Sequence, residues 1–559
     1  MEQVRLLLAI GLSFLVFLVW QFFFTEKKTD QPVEPPKTVE QTKEAPVKEK
    51  VSVPEKKPDI EKQLIDEKET TEEDAHKSRS IRVNTPLYSV VVSEKGAAFK
   101  SFTLQNYRKE IDKTSEPFEM ISSDVSPGTV LSGFENNSIR GLEDRLFTVD
   151  AKYDSIDVKA QKREVVFIYR SQDGILVEKK YVFYADSYVI GMMVSIKNGS
   201  NSPIKDNLSL SLMNLTSDDK RMYGFEGPSA MIGDSIEKVK PKKVKDKNIF
   251  SGDLKWIAIQ DRYFISSIIP KEPVDATMKA TMKLDIDENG VLMNRYVSNE
   301  MVIQPGNEKL FEYELYFGPK SIQVLKGVGH NLDRAVDFGW FDFLAKPCLW
   351  IMNLLYSVIP NYGVAIIILT IFTKIILWPL GTKSYKSMNA MKKLQPLMTE
   401  IREKFKDDKK KMNEELMGLY KTYKINPLGG CLPMVVQMPV FFALYRMLYG
   451  AIELRHAPFF GWINDLSAPD RLFDFGFSIP FMEPPYGIPV LTIIMGASML
   501  LSQKMQPPAG DPAQAKMMML MPVVFTFIFI NFSSGLVLYW LVNNILSIAQ
   551  QYYTQKKHA

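Results

Sequence analysis

The chain has 559 residues and a formal net charge of +4 at pH 7, so it has room for two or more domains and no strong attraction to nucleic acid. Its two cysteines and four histidines are scattered without zinc-like spacing. The composition therefore indicates no metal, no cofactor and no sequence-specific nucleic-acid partner. The mean hydropathy of -0.10 averages a polar half and an apolar half of the chain.

Residues 1–25 predict a membrane anchor. The segment from Leu6 to Phe24 is almost wholly apolar and follows Arg5. It is longer than the core of a signal peptide, and no small-residue cleavage site follows it. We therefore interpret it as an uncleaved signal-anchor span, with a cleaved signal peptide as the alternative.

Residues 26–80 predict a disordered charged linker. Lys, Glu, Asp, Pro and Thr dominate, and no aromatic residue occurs between Phe24 and Tyr88. A segment of this composition cannot bury enough apolar surface to offset its chain entropy. We expect a solvated tether, and a binding role is the alternative.

Residues 81–330 predict a large extracytoplasmic β-sandwich domain. Apolar and polar residues alternate in short runs, such as those beginning at Tyr88, Val165, Lys180 and Leu208. Turn signals of the Asn-Gly and Asp-Gly type separate such runs, and helical periodicity is scarce. An antiparallel β-sandwich is the fold that this pattern favours. No nucleophile or metal constellation stands out, so we expect no catalytic residues.

Residues 331–360 predict an amphipathic helix that lies in the membrane interface. The run from Trp340 to Tyr356 contains several aromatic residues and only one lysine, Lys346. It is too interrupted to span a bilayer, and its composition is typical of an interfacial helix. A buried helix within the preceding domain is the alternative.

Residues 361–556 predict a core of five membrane spans, which together with the anchor makes a six-span α-helical membrane protein. Each segment is apolar and close to the roughly 20 residues that a helix needs to cross a bilayer. Lys and Arg concentrate in the 381–427 loop, around the 504–516 loop and at the C-terminus, so the positive-inside rule places these parts and the N-terminus in the cytoplasm. The predicted core spans are Tyr362–Leu380, Leu428–Tyr449, Ile488–Gln503, Met517–Phe532 and Leu536–Tyr552.

Residues 382–426 predict a cytoplasmic helical hairpin within this core. Apolar residues recur at three- and four-residue steps from Met388 to Phe405 and again from Met412 to Tyr423. Pro396 is expected to kink the first helix. Because the hairpin is basic and rich in methionine, it is a candidate receiver of ribosomes or nascent chains, and a plain structural hairpin is the alternative.

Lys374 lies inside the first core span, where a charge costs about 2.5–3.5 kcal/mol on insertion scales. Thr370 lies one helical turn away, and Gln437 and Asn544 lie within later spans. One reading is that Lys374 extends to the interface while Gln437 and Asn544 only join helices. The other is that these groups line a hydrated pocket, which a small-solute or ion transporter would also use. A transporter normally shows internal repeats, and none is visible.

Three runs of the membrane half are distinctive in combination. They are Asn426-Pro-Leu-Gly-Gly-Cys-Leu-Pro433 followed by Gln437 to Tyr445, Ser534-Gly-Leu-Val-Leu-Tyr-Trp540, and Asp465-Leu-Ser-Ala-Pro-Asp470. Together they resemble the YidC-type membrane protein insertases, and the first is similar to the third-span signature of that family. The order of anchor, large β-domain, interfacial helix and five-span core resembles the Gram-negative form of the family.

The resemblance implies a non-enzymatic insertase and assembly chaperone of the bacterial inner membrane, with its β-domain in the periplasm. A hydrophilic groove would receive the acidic tail of a substrate, whose apolar helix then partitions into the bilayer. Lys374 would be the groove's cation, where most members are expected to have Arg and its planar donor fork. Trp540 stands where Tyr is common. The implied groove residues are Lys374, Thr370, Gln437, Tyr539, Trp540 and Asn544.

The resemblance also implies partners. They are nascent membrane proteins, the lipid bilayer, the Sec translocon, and the ribosome or signal recognition machinery, which would bind the hairpin and the C-terminal tail. Two other functions stay open on the residues alone. A small-solute or ion transporter predicts solute flux, and a purely structural scaffold would tolerate neutralisation of Lys374.

Overall fold

The computed structural model describes residues 78–112, 114–216, 225–271, 280–425, 432–506 and 512–557, which belong to one compact unit beginning at Ser78. The predicted anchor, nearly all of the predicted linker and residues 426–431 of the third-span signature lie outside the described residues. In the described part, a β-rich domain is followed by a helical region. This order confirms the coarse architecture that the sequence predicts.

The strands form where apolar and polar residues alternate. In the strand Val189–Lys197, every second residue from Ile190 to Ile196 is buried, and the residues between them are partly exposed. The strands of the described part are β1 (Ser80–Asn84), β2 (Tyr88–Ser93), β3 (Phe99–Arg108), β4 (Pro117–Glu119), β5 (Leu131–Phe134), β6 (Thr148–Val149), β7 (Ser155–Asp157), β8 (Arg163–Arg170), β9 (Leu176–Phe183), β10 (Val189–Lys197), β11 (Ile204–Asp206), β12 (Leu208–Leu215), β13 (Gly227–Ile232), β14 (Ser235–Lys238), β15 (Ile249–Gly252), β16 (Leu254–Gln260), β17 (Phe264–Pro270), β18 (Ala280–Ile286), β19 (Val291–Val297), β20 (Met301–Ile303) and β21 (Glu308–Pro319).

A nine-stranded sheet with the order β14-β13-β16-β17-β21-β10-β9-β8-β6 is the centre of this domain. Two five-stranded sheets, β4-β3-β2-β1-β7 and β15-β18-β19-β12-β5, pack against it. Phe102 of β3 stacks on Phe317 of β21 with ring centroids 4.9 Å apart, and Nδ2 of Asn294 in β19 donates to the carbonyl of Ala258 in β16 at 2.9 Å. Neighbouring strands are antiparallel, except that β1 and β7 are parallel. Antiparallel layers with alternating burial are what the sequence pattern predicts.

A buried lysine joins the nine-stranded sheet to the segments just before β3 and β5. Lys179 of β9 is fully buried, and its ammonium donates to the carbonyls of Gly96, Ala97 and Val130 at 2.9, 3.3 and 3.0 Å. The hydroxyl of Tyr181 donates to the carbonyl of Ala97 at 2.7 Å. Burial lowers the pKa of Lys179 to about 7. The ammonium therefore satisfies backbone carbonyls that the sheets do not pair.

The helices follow the β-domain in chain order. The third of them is the long helix of the membrane half, and the Asn361 side chain caps its start by accepting from the Val364 amide at 3.1 Å. The helices of the described part are α1 (Ile322–Val328), α2 (Asp342–Val358), α3 (Tyr362–Lys393), α4 (Gln395–Lys404), α5 (Lys409–Thr422), α6 (Leu432–Gly450), α7 (Val490–Met505), α8 (Pro512–Phe529) and α9 (Ser534–Lys557).

Of the helices in this part of the chain, α3 alone meets a combined test of length and apolar composition for crossing a membrane. Helix α7 and the 518–529 part of α8 are apolar but shorter. The predicted count of six spans therefore stays a prediction. Helix α2 exposes the aromatic rings of Phe343 and Trp350 and buries Leu349 and Met352, so it is amphipathic as the sequence predicts.

The first helix of the predicted hairpin is interrupted at Leu394, two residues before Pro396. Helix α3 runs without interruption from the apolar segment to Lys393, and a new helix, α4, starts at Gln395 with Pro396 in its first turn. Proline has no N–H to donate to the preceding turn and clashes with it, so the helix ends before it. Leu394, Met398 and Leu416 then form a small core between α4 and α5.

Arginine side chains join the β-domain to the C-terminal end of α6 and to the segment after it. Arg262 donates from Nε to the Tyr449 carbonyl at 2.7 Å, and its guanidinium lies 3.6 Å from the centroid of the Tyr449 ring. Arg455 donates from Nη2 to the carbonyl of Arg108 at 2.6 Å and lies 5.3 Å from the ring centroid of Phe118. The C-terminal end of α6 is thereby held against the β-domain.

Candidate substrate groove

Helix α9 is the shared wall of the membrane half. It packs along α3 and α7 and also touches α6. Its sequence is mostly apolar, but a polar residue recurs on it at almost every turn. All of the groove residues that the sequence implies lie either on α9 or on one of the helices beside it.

Lys374 of α3 reaches across to α9. Its ammonium nitrogen lies 2.6 Å from Oγ of Ser547, and this hydroxyl in turn donates to the carbonyl of Asn543 at 2.7 Å. The lysine is half-buried. The charge is thus directed at a neighbouring helix and paired with a neutral oxygen.

Trp540, Asn544 and Ser547 lie on one face of α9, because residues four and three apart share a helix face. They cover about 10 Å along the axis at a rise of about 1.5 Å per residue. Nδ2 of Asn544 donates to Oγ of Ser498 on α7 at 3.3 Å. This polar face of α9, defined by Trp540, Asn544 and Ser547, meets Lys374 at its C-terminal end.

Aromatic packing forms the N-terminal end of the polar face. The Trp540 ring lies edge-on to Phe441 of α6 at 4.7 Å between centroids. The indole N–H of Trp540 is buried and has no hydrogen-bond partner among the described residues. Tyr539 is almost fully buried, and its hydroxyl is bonded to the side chain of Gln437 on α6. Gln437 and Tyr539 are therefore brought together, as a common groove would require.

Thr370 lies apart from this set. Its side chain is 1% exposed, and its hydroxyl donates to the carbonyl of Ile366, one turn earlier in α3, at 2.6 Å. Thr373 likewise donates to the carbonyl of Thr370 at 2.9 Å. These hydroxyls are satisfied within their own helix, so the contact of Thr370 with a substrate remains a prediction.

The sequence reasoning missed three residues of this region. Ser547 pairs with Lys374, Ser498 pairs with Asn544, and Tyr385 of α3 is also hydrogen-bonded to Ser547. The spacing of Ser547 from Trp540 and Asn544 on one helix face is the signal that would have found it. Among the described residues, no group of three or more His, Cys, Asp or Glu side chains is arranged to hold a metal ion.

A β-rich domain followed by an apolar helical bundle with a partly buried polar face is the architecture of a membrane protein with a large domain outside the bilayer. Two family models match the chain: one described as "60Kd inner membrane protein" at residues 354–559, and one described as "YidC periplasmic domain" at residues 80–351. The chain belongs to the YidC family of membrane protein insertases. The predicted resemblance is thus confirmed, as is an inner-membrane protein with a periplasmic domain.

Full-length relatives support the same assignment. The membrane protein insertase YidC of Syntrophus aciditrophicus (strain SB) is 39% identical over 562 residues, covering 99% of each chain. That of Syntrophobacter fumaroxidans (strain DSM 10017 / MPOB) is 39% identical over 559 residues, again covering 99% of each chain. A crystal structure of an active YidC insertase with its first transmembrane domain resolved is 18% identical, with a TM-score of 0.37, covering 86% of this chain and 93% of that chain.

Proposed function

We propose that this protein is a membrane protein insertase and assembly chaperone that guides substrate helices along the polar face of α9 into the bilayer. The main structural support for the proposed groove is the contact of Lys374 with Ser547 at 2.6 Å, at one end of that face. Relatives that match the whole chain bear the name of insertase. The chemistry requires no covalent step.

The polar face lowers the cost of moving a hydrophilic tail through the membrane. The acidic tail of a substrate exchanges water for the Lys374 charge and for the amide and hydroxyl groups of Asn544 and Ser547. The substrate's apolar helix then leaves for the lipid, and burial of its side chains drives the step at roughly 25 cal/mol per Å² of apolar surface. Once in lipid, the helix satisfies its own backbone hydrogen bonds.

The proposed topology has six spans with both termini in the cytoplasm and the β-domain in the periplasm. It divides the chain into an anchor (1–25), a linker (26–80), the β-domain (81–330), an interfacial helix (331–360) and a five-span core (361–556) that contains the hairpin (382–426). The lysine- and arginine-rich loops support the orientation. Exposed apolar side chains along α3, α7 and α8 support lipid contact.

The proposed partners are nascent membrane proteins, with the protein acting alone or beside the Sec translocon. The hairpin of α4 and α5 offers a basic surface to the ribosome or the signal recognition machinery, and the C-terminal tail adds Lys556 and Lys557. Helix α2 and the turn before it offer the exposed rings of Trp340, Phe343 and Trp350 to lipid or to a neighbouring membrane protein.

Insertion into purified proteoliposomes tests the proposed function. A single-span substrate with an acidic outer tail should become protease-protected in vesicles that contain the protein, above the level in empty vesicles, without flux of small solutes. Solute flux without tail protection would indicate a transporter. Absence of both would indicate a structural scaffold.

Shortening the hairpin turn should lower insertion several-fold while the protein stays in the membrane. Deletion of residues 406–408 removes the Asp408 side chain that caps α5 by accepting from the Lys411 amide at 3.0 Å. The measurement is the protected fraction of substrate at equal amounts of membrane-integrated protein. A control with a turn of equal length made of Gly and Ser, but keeping Asp408, should insert normally. Normal insertion by the deletion variant would refute a role for the hairpin.

Removing much of residues 81–324 should leave most of the core insertion activity, because every residue of the proposed groove lies in α3, α6, α7 or α9. Arg455 loses its contacts with Arg108 and Phe118 in this variant, so a modest loss of stability is expected. Insertion and thermal stability should be measured on the same preparation. Abolished insertion by a stably folded truncation would contradict the prediction.

A further inference from the structure

Four phenylalanines are exposed in the segment between α6 and α7. We call residues 472–486 the phenylalanine loop. Its rings at Phe473, Phe475, Phe477 and Phe481 are 68, 40, 63 and 93% exposed. The rings of Phe475 and Phe477 stack with centroids 5.7 Å apart. Exposed aromatic surface gathered in one loop is costly in water and marks a contact with another molecule or with a membrane.

The phenylalanine loop is held firmly in place. Arg471 donates from Nε to the Pro485 carbonyl and from Nη1 to the Ile530 carbonyl, both at 2.9 Å. Asn531 donates to the Phe481 carbonyl at 3.0 Å and accepts from the Glu483 amide at 2.9 Å. These contacts tie both sides of the loop to the C-terminal end of α8. The exposure of the rings is therefore a defined feature of the fold.

Two of the exposed phenylalanines have strained backbones. Phe473 has φ of 61° and Phe481 has φ of 64°, in the left-handed region that bulky residues rarely adopt. Such strain costs of order 1–3 kcal/mol per residue and persists where the surrounding contacts impose it. The fold thus accepts strain at two positions whose rings are directed away from the protein.

Exposed apolar side chains also lie on α7, which follows the loop in the chain, and on α8. Phe527 and Ile528, near the end of α8 that binds the loop, are 67 and 52% exposed, and Ile493 on α7 is 51% exposed. Helix α7 has 16 residues and is about 24 Å long, shorter than the roughly 30 Å hydrocarbon core. An apolar loop that enters the bilayer beside α7 would fill the part of the hydrocarbon core that α7 is too short to reach.

We propose that the phenylalanine loop inserts its rings into the acyl-chain region of the outer leaflet and so sets the depth of α7 and α8 in the bilayer. The partner is lipid, and the proposal rests on the topology proposed above. The loop carboxylates of Asp474 and Glu483 are exposed and lie at headgroup level, where water and lipid headgroups solvate them. Charge attraction therefore does not contribute, and the insertion is driven by the aromatic surface.

Depth-dependent fluorescence quenching tests this insertion in the full chain. In a background with Cys348→Ala and Cys431→Ala, an environment-sensitive dye is attached to Phe481→Cys, and vesicles of zwitterionic lipid carry a quencher on the acyl chains. Phe372→Cys on α3, where the native ring is 49% exposed, is the positive control for lipid contact. Tyr153→Cys on the β-domain, 65% exposed, is the control for water.

The label at Phe481→Cys should lose as much fluorescence to the acyl-chain quencher as the label at Phe372→Cys, and the label at Tyr153→Cys should lose little. Quenching at Phe372→Cys without quenching at Phe481→Cys would overturn the insertion of the loop and leave the topology standing. Absence of quenching at Phe372→Cys would overturn the topology and the insertion with it. Phe477→Cys gives a second loop position if Phe481→Cys does not fold.

Discussion

Lys374→Ala is expected to lower insertion of a substrate with an acidic tail by about tenfold or more, whereas Lys374→Arg should retain it. A charge-assisted hydrogen bond contributes about 1.5–3 kcal/mol, and about 1.4 kcal/mol corresponds to a factor of ten. The alanine variant should fold, because Ser547 keeps its own bond to the Asn543 carbonyl at 2.7 Å. Protease protection of the tail in proteoliposomes is the measurement.

The matched control for this prediction is Lys383→Ala, which removes an exposed lysine from the same helix. It should insert the substrate normally. A substrate whose tail lacks acidic residues should show a smaller difference between wild type and Lys374→Ala. Equal insertion of the acidic substrate by wild type, Lys374→Ala and Lys374→Arg would mean that the Lys374 charge takes no part in the passage of the tail.

Lys179→Met is expected to destabilise the β-domain by about 2 kcal/mol or more, because it leaves two buried carbonyls without a donor, each at about 1–3 kcal/mol. They are the carbonyls of Gly96 and Val130, since the Ala97 carbonyl keeps the Tyr181 hydroxyl at 2.7 Å. The full chain in detergent can be unfolded with urea, and the resistance of the β-domain to a short pulse of protease gives its free energy of unfolding. Lys180→Met is the control, since this neighbour is partly exposed and forms an ion pair with Glu164 at 3.7 Å.

Lys179 also predicts how stability depends on pH. Its pKa is lowered by burial from 10.5 to about 7, so between these values the unfolded chain binds more protons than the folded one. Stability of the β-domain should therefore rise with pH above about 7, by about 2 kcal/mol between about pH 7 and pH 9. Lys179→Met should lack this rise. A wild-type stability that is flat or falling over this interval would contradict the prediction.

The strands were predictable from the alternation of apolar and polar side chains. The burial of Lys179 was not predictable from this alternation. The run Lys180-Tyr-Val-Phe-Tyr184 has the period of a strand, and it forms the end of β9. Alternation alone gives no reason to bury a lysine there. The burial of Lys179 comes from carbonyls 49 to 83 residues away in the chain, which local pattern does not contain.

The sequence suggested a cation for the candidate groove, but it did not suggest the residue that pairs with this cation. Lys374 is conspicuous because it interrupts an apolar helix, and the resemblance added Gln437, Tyr539, Trp540 and Asn544. Ser547 lies 173 residues from Lys374 and is an ordinary residue for a membrane helix. Helix periodicity shows which residues of α3 share a face with Thr370. It does not show which neighbouring helix that face packs against, so the burial of Thr370 was not predictable.

Ser547 gives the Lys374 ammonium a neutral partner when no substrate is present. A hydroxyl holds an ammonium less strongly than a carboxylate does, so in the proposed mechanism an arriving acidic side chain would displace it with a net gain. Ser547 remains bonded to the Asn543 carbonyl, and no polar group is left unsatisfied by the exchange. In the proposed mechanism, the same hydroxyl is in place to receive the ammonium again when the tail departs. The Lys374 ammonium would therefore have a hydrogen-bond partner both before the tail binds and after it leaves.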